Sequence, residues 1–104
     1  MKIKYLLLAI AFVLGSFSAN AVKIPVIVKD STSPFWQIVL DGGCTAGAEL
    51  GIEVPLLGPT SEADIAGQIN VLEDAVAGGA DAIVIAATSF EGLGAPIDEA
   101  AKSV

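Results

Sequence analysis

The stretch Val26-Ile27-Val28-Lys29-Asp30-Ser31-Thr32-Ser33-Pro34-Phe35-Trp36 carries the chain from one kind of backbone into another within eleven residues. Its β-branched opening, preceded by Lys23-Ile24-Pro25, predicts a strand over residues 23–29, with Pro25 near the beginning where a missing N–H is tolerable. Asp30 to Ser33 is a polar cluster that turns the chain. Ser33-Pro34 then supplies an N-cap followed by proline at the first helical position, where that residue's fixed φ suits a helix. Strand, turn and helix start in immediate succession open a β-α unit.

Downstream the unit repeats. The first helix is predicted from about Pro34 to about Leu50, with Val39, Gly43, Ala46 and Leu50 at helical spacing and Gly51 as its stop. Gly42 and Gly43 lie mid-helix, at a cost of about 1 kcal/mol each in propensity, which points to close packing against a sheet. Ile52 to Leu57 reads as a second strand and Gly58-Pro59-Thr60 as a turn. Ser61-Glu62-Ala63-Asp64 then has capping-box spacing for a second helix whose inner face is Ile65, Ile69, Leu72 and Val76, halted by Gly78-Gly79. Ala82 to Ala87 is continuously apolar, as a strand covered on both faces should be. Thr88 to Glu91 turns the chain into a third helix over roughly Gly92 to Ser103. The order β-α-β-α-β-α with short connections predicts parallel strands, right-handed crossovers and half of a doubly wound α/β lobe. A three-stranded parallel sheet with open edges is a poor independent fold, so the expectation is the front of a longer protein.

Upstream lies a segment of different character. Lys2 and Lys4 precede ten apolar residues, Tyr5 to Leu14, and a small polar stretch ends at Ala19-Asn20-Ala21. This is the pattern of a cleavable signal peptide over residues 1–21, leaving a lobe over residues 22–104 and a periplasmic address. The apolar run is too short to span a bilayer, so no stable membrane insertion is expected after cleavage. Cys44 follows Asp41-Gly42-Gly43 and not an apolar lipobox.

Composition removes many chemistries. The 104 residues are 54% hydrophobic and 16% charged, with twelve carboxylates against five lysines, no His and no Arg, for a net charge of -7. Without residues 1–21 three lysines face the same twelve acids, a net charge of -9. Such a surface cannot neutralise a run of phosphates, so no nucleic-acid partner is expected. One cysteine and no histidine exclude a zinc finger, a CxxC pair, an internal disulfide and a Ser-His-Asp or Cys-His site. Cys44 reads as a small buried hydrophobe on the first helix. No cofactor or metal is expected: no GxxxxGK[ST] or GxGxxG follows the first strand, and Gly92-Leu93-Gly94 is too little to stand in for one.

Ligands of open parallel sheets bind beyond the carboxyl ends of the strands. The three loops there are 29–36, 58–61 and 88–91, and the first sets Lys29, Asp30, Ser31, Thr32 and Ser33 beside Phe35 and Trp36. Aromatic faces stack on the C–H faces of sugars while hydroxyls and charges fix their O–H groups, so the mixture suits a small polyhydroxylated ligand. The competing reading makes Phe35 and Trp36 first-turn core residues, yet neighbours about 100° apart cannot both face one core stripe. Thr88 stands at the carboxyl end of the third strand and joins the candidate set. Asp41, Glu49, Glu62 and Asp64 read as a solvated face and capping groups, Asp81 as a turn residue at the opposite end, and Gln68 has no derivable role.

In order and spacing these features resemble the N-terminal part of the type I periplasmic sugar-binding proteins of ABC transporters, the group that includes the ribose-, galactose- and allose-binding proteins. The carrying residues are the signal segment, Val26-Ile27-Val28-Lys29, Ser33-Pro34-Phe35-Trp36, Gly42 to Gly51 leading into Ile52-Glu53-Val54, Asp64 to Gln68, and Gly79 to Ile85. The resemblance implies a substrate-binding component that captures a sugar or polyol without chemistry and delivers it to an ABC permease. It places Ser33, Phe35 and Trp36 in the cleft, and Lys29 where the allose-binding branch uses a lysine toward its sugar. Family residues on the fourth strand, the hinge and the second lobe would complete the site, so this stretch alone supplies one wall. The alternative on the same fold is a periplasmic sensor feeding a chemoreceptor or kinase. A repressor effector domain shares the fold but not the export signal, and a secreted hydrolase using Ser31, Ser33 or Ser89 would lack a His base.

Overall fold

A computed structural model describes residues 21–104. The predicted signal segment lies outside the described residues except for Ala21. The elements alternate as β1 (Val26–Ile27), α1 (Pro34–Leu50), β2 (Leu56–Leu57), α2 (Ile65–Ala77), β3 (Val84–Ile85) and α3 (Phe90–Ala100). All pairings are parallel, in the order β2-β1-β3, with Val26 opposite Leu56 and Val84 and Ile27 opposite Leu57 and Ile85. The fold is the expected α/β half-lobe.

The formal strands are shorter than the sequence predicts, for a reason visible in their prolines. Pro25 and Pro55 have no N–H, which interrupts the regular ladder, yet its hydrogen bonds continue on either side. Glu53 N–H donates to Val22 O at 2.9 Å, Ile24 N–H to Glu53 O at 2.8 Å, Val26 N–H to Pro55 O at 2.9 Å and Val28 N–H to Leu57 O at 2.9 Å. Extended pairing therefore spans the whole predicted stretch. Asp81 fastens the start of the sheet: its carboxylate accepts from Lys23 N–H at 2.8 Å and its own N–H donates to Lys23 O at 2.8 Å.

Successive strand residues point to opposite faces, and the helices divide accordingly. Val26 and Leu56 meet α1 at Gly43, where an added Cβ would lie 3.3 Å from Val26 and 3.4 Å from Leu56. Ile27 turns the other way into the core with Leu72 and Ala75 of α2 and Leu93 of α3, flanked by Leu57, Ile83 and Ile85. The chain leaves β1 toward β2 and then crosses back to β3, and this reversal puts α1 on one face and α2 with α3 on the other. An apolar groove of about 310 Å³ runs beside the free edge of β3, lined by Ile83, Ile85, Ile97, Ala100 and Val104 among others, away from the carboxyl ends of the strands.

Several helix details depart from expectation. The inner stripe of α1 is Leu40, Gly43 and Gly47, not Val39, Gly43, Ala46 and Leu50; Leu50 is 70% exposed. Of the glycine pair expected to permit close packing, Gly43 does so and Gly42 faces open space, while the tightest approach is at Gly47, where a Cβ would sit 2.9 Å from Val54. Cys44 is exposed, which corrects its reading as a buried hydrophobe. The α2 cap is Asp64, whose carboxylate accepts from Gly67 N–H at 2.8 Å, while Ser61 to Asp64 forms a separate turn closed by Asp64 N–H to Ser61 O at 3.1 Å. The third helix starts two residues earlier than predicted, because Ser89 caps it by accepting from Gly92 N–H at 2.9 Å.

Candidate functional site

Because the crossovers diverge between β1 and β3, the crevice beyond their carboxyl ends is the topological switch point of the sheet. Two loops border it, residues 28–33 entering α1 and residues 86–89 entering α3. The second loop of the sheet, 58–60, is zipped onto the first: Ser31 N–H donates to Pro59 O at 2.8 Å. Gly58 permits this, since a Cβ there would meet Val28 at 2.8 Å.

The floor of the crevice is a residue for which the sequence suggested no role. Gln68 is fully buried, and its amide nitrogen donates to Val28 O at 3.1 Å and Ala86 O at 2.8 Å. Its amide oxygen accepts from Thr88 N–H at 2.8 Å. One side chain thus satisfies the backbone of both bordering loops just where the ladder between β1 and β3 ends. The available signal was a polar residue on the apolar stripe of α2, one turn after the Asp64 cap and on the face that carries Leu72 and Ala75.

On the α1 side, Asp30 shapes the loop. Its carboxylate accepts from the Thr32 hydroxyl at 2.7 Å and the Thr32 N–H at 2.8 Å, and these two bonds, the hydroxyl first, hold its pKa below the ordinary 3.8. Gln37 closes the same turn by donating from its side chain to Ser31 O. Ser33 occupies the N-cap position, but its hydroxyl makes no capping bond. Pro34 follows at N1, so the helix start needs one hydrogen-bond acceptor fewer.

Phe35 and Trp36 therefore emerge from the first turn of α1 at the rim. Phe35 is 64% exposed and Trp36 half-buried, and neither belongs to the core cluster. Their rings meet edge to face at 4.9 Å and 90°, and the Lys29 ammonium lies 6.0 Å from the Trp36 ring centroid. Lys29 makes no ion pair among the described residues. The Trp36 indole N–H donates to a Glu62 carboxylate oxygen at 2.8 Å. The structure thus brings Lys29, Ser33, Phe35 and Trp36 to one loop and helix start. Thr88 belongs to the facing loop, tied to the first through Gln68; its hydroxyl is buried and has no hydrogen-bond partner among the described residues. Glu62, read as a solvated or capping group, is exposed but does not cap α2, and its bond to the indole was not foreseen.

Among the described residues this rim offers an aromatic surface, an ammonium outside any ion pair and a hydroxyl that makes no capping bond, over a hydrogen-bonded polar floor. Such a surface can stack and hydrogen-bond a small solute. Among the described residues there is no cluster of three or more His, Cys, Asp or Glu groups able to hold a metal ion.

Residues 24–103 match the periplasmic binding protein domain. The chain belongs to the periplasmic binding protein family. The binding-protein fold is seen in solved structures as well. A carbohydrate transporter solute-binding protein from Agrobacterium radiobacter, solved with D-arabinose, is 59% identical with a TM-score of 0.81 over 84% of this chain. An ABC transporter solute-binding protein from Agrobacterium vitis, bound to α-D-tagatopyranose, is 28% identical with a TM-score of 0.71 over 78% of the chain. A sugar-binding protein of a Bacillus halodurans sugar ABC transporter is 28% identical with a TM-score of 0.70 over 81%. The aligned part is 30%, 27% and 28% of those three proteins, so this periplasmic binding protein chain spans less than a third of their length. Family and solved relatives are binding proteins, and among the described residues no helix is long and apolar enough to cross a membrane.

Proposed function

We propose that this chain forms one wall of the sugar cleft in the substrate-binding component of an ABC transporter. The observation that carries the reading is the 59% identity to a solute-binding protein solved with D-arabinose, combined with an aromatic pair at the switch point of the sheet. Phe35 and Trp36 would stack on a pyranose or furanose ring, Ser33 and Lys29 would hydrogen-bond its hydroxyls, and Thr88 would line the opposite side of the crevice. Capture is non-covalent. The reading is supported by relatives that are solute-binding proteins solved with D-arabinose and α-D-tagatopyranose bound. The residues that close over the solute and the surface that meets the permease would come from the rest of a two-lobed protein. Residues 1–21 would direct the product to the periplasm.

Pentoses and related ketoses are the first solutes to test, because the named relatives hold an arabinose and a tagatose. Those relatives are transporter components, which favours transport over the sensing alternative. Equilibrium dialysis of the complete protein against labelled pentoses, hexoses and polyols should find saturable binding with unchanged sugar recovered. Turnover of a chromogenic ester, or no retention of any of these solutes, would contradict the reading. Loss of sugar uptake on deleting the gene would establish delivery to a permease.

A further inference from the structure

We propose that Glu62 is a positioning residue that aims the solute-binding face of Trp36, an inference that rests on the sugar-binding reading of that ring. An indole on the exposed first turn of a helix has two side-chain torsions and only one polar atom, Nε1. Glu62 accepts from that atom at 2.8 Å across 26 positions of sequence. A carboxylate acceptor makes this a charge-assisted bond, shorter and stronger than a neutral one. The bond fixes the in-plane direction of the ring, while Phe35, perpendicular at 4.9 Å, limits rotation from the side.

Glu62 reaches the indole because of how its own loop is built. Asp64 takes the capping of α2, so residues 61–63 stay outside the helix, with Ser61 Oγ accepting from Ala63 N–H at 3.1 Å. The side chain of Glu62 is thereby turned toward the first loop instead of along α2. The Ser31 to Pro59 backbone bond holds the two loops together immediately before it. With its N–H occupied, Trp36 has no donor left for a solute, and its contribution is the π face alone. The ring therefore recognises the C–H face of a sugar, and hydroxyl readout falls to other groups at the rim.

Glu62 is exposed, so its replacement does not open the core. The complete protein, labelled with ¹⁵N-tryptophan, gives an indole N–H resonance for Trp36 that is assigned by its loss in Trp36→Phe. In Glu62→Ala that proton should exchange with solvent faster, and affinity for D-arabinose should fall about five- to tenfold. Glu62→Gln retains an acceptor oxygen, so it should keep slow exchange and stay within about twofold of wild-type affinity. Unchanged exchange and affinity in Glu62→Ala would overturn the proposal, as would a Glu62→Gln variant as weak as Glu62→Ala, which would make charge and not aim the cause. If wild-type protein does not bind D-arabinose or tagatose, the sugar reading and with it the solute role of Glu62 are contradicted. Slow indole exchange that Glu62→Ala abolishes would then mark the bond as purely structural.

Discussion

On the proposed sugar-binding reading, Trp36 is the residue on which recognition would turn. It is half-buried at a helix start, outside the core, with its N–H already bonded, so replacing it removes stacking area without removing packing that the sheet depends on. Trp36→Ala in the complete protein should weaken sugar binding by more than about 1 kcal/mol while the unfolding midpoint changes little. Equal affinity by titration calorimetry would return the ring to a structural role. Asp30 makes a separate, pH-dependent contribution. Its pKa is depressed by the Thr32 hydroxyl and then by the Thr32 N–H, so the charged form is favoured in the folded state. A depressed pKa stabilises the fold above the ordinary value of 3.8, and this contribution is lost as pH falls through the lower folded value. An NMR titration should place the Asp30 midpoint below 3.8, and Thr32→Val should raise it toward that value. A midpoint unmoved by the substitution would show that the hydroxyl bond does not form in solution.

At the scale of elements, the joints carry the specificity of the fold. Gln68 closes three backbone hydrogen bonds at the end of the β1 and β3 ladder, and Gln68→Leu would leave Val28 O, Ala86 O and Thr88 N–H without that partner. A destabilisation of about 2–4 kcal/mol is expected, read as a lower urea midpoint. The glycines of α1 predict opposite signs. Gly47→Ala would push a Cβ to 2.9 Å from Val54 and 3.2 Å from Ile52 O and should cost about 1–3 kcal/mol, whereas Gly42→Ala meets nothing and should stabilise by roughly 0.5–1 kcal/mol. Equal effects at both positions would contradict the packing of α1 on β2. The element order and the bounds of α1 were legible because Ser33-Pro34 and Gly51 are strong local signals. The α2 start was not, since Ser61 and Asp64 are both competent caps and tertiary geometry decides between them. Nor was the face of α1, because three glycines and two alanines leave the helical stripe with little contrast. The roles of Gln68 and Glu62 are set by partners 18 to 40 and 26 positions away, which no local pattern encodes.

Across the whole molecule, the two faces of the sheet are unequally covered. α2 and α3 enclose Ile27, Leu72 and Leu93, while α1 lies over β1 and β2 and leaves Val84 of β3 55% exposed. Gln68, the Ser31 to Pro59 bond and the Asp30 turn nonetheless tie down the loops at the carboxyl ends, so on the proposed reading one wall of the cleft would be formed before any solute arrives. Such a wall would limit the ordering cost of binding, and the aromatic rim would supply the apolar area. The fold class and the periplasmic binding protein family were legible from the order of strands, helices and the Ser33-Pro34-Phe35-Trp36 segment, and the domain match over residues 24–103 agrees. The most direct measurement is calorimetric titration of the complete protein with D-arabinose, run beside Trp36→Ala. The account predicts saturable one-to-one binding by the wild type and a clear loss in the variant. Binding by both proteins with equal affinity, or by neither with D-arabinose or any related pentose or ketose, would contradict it.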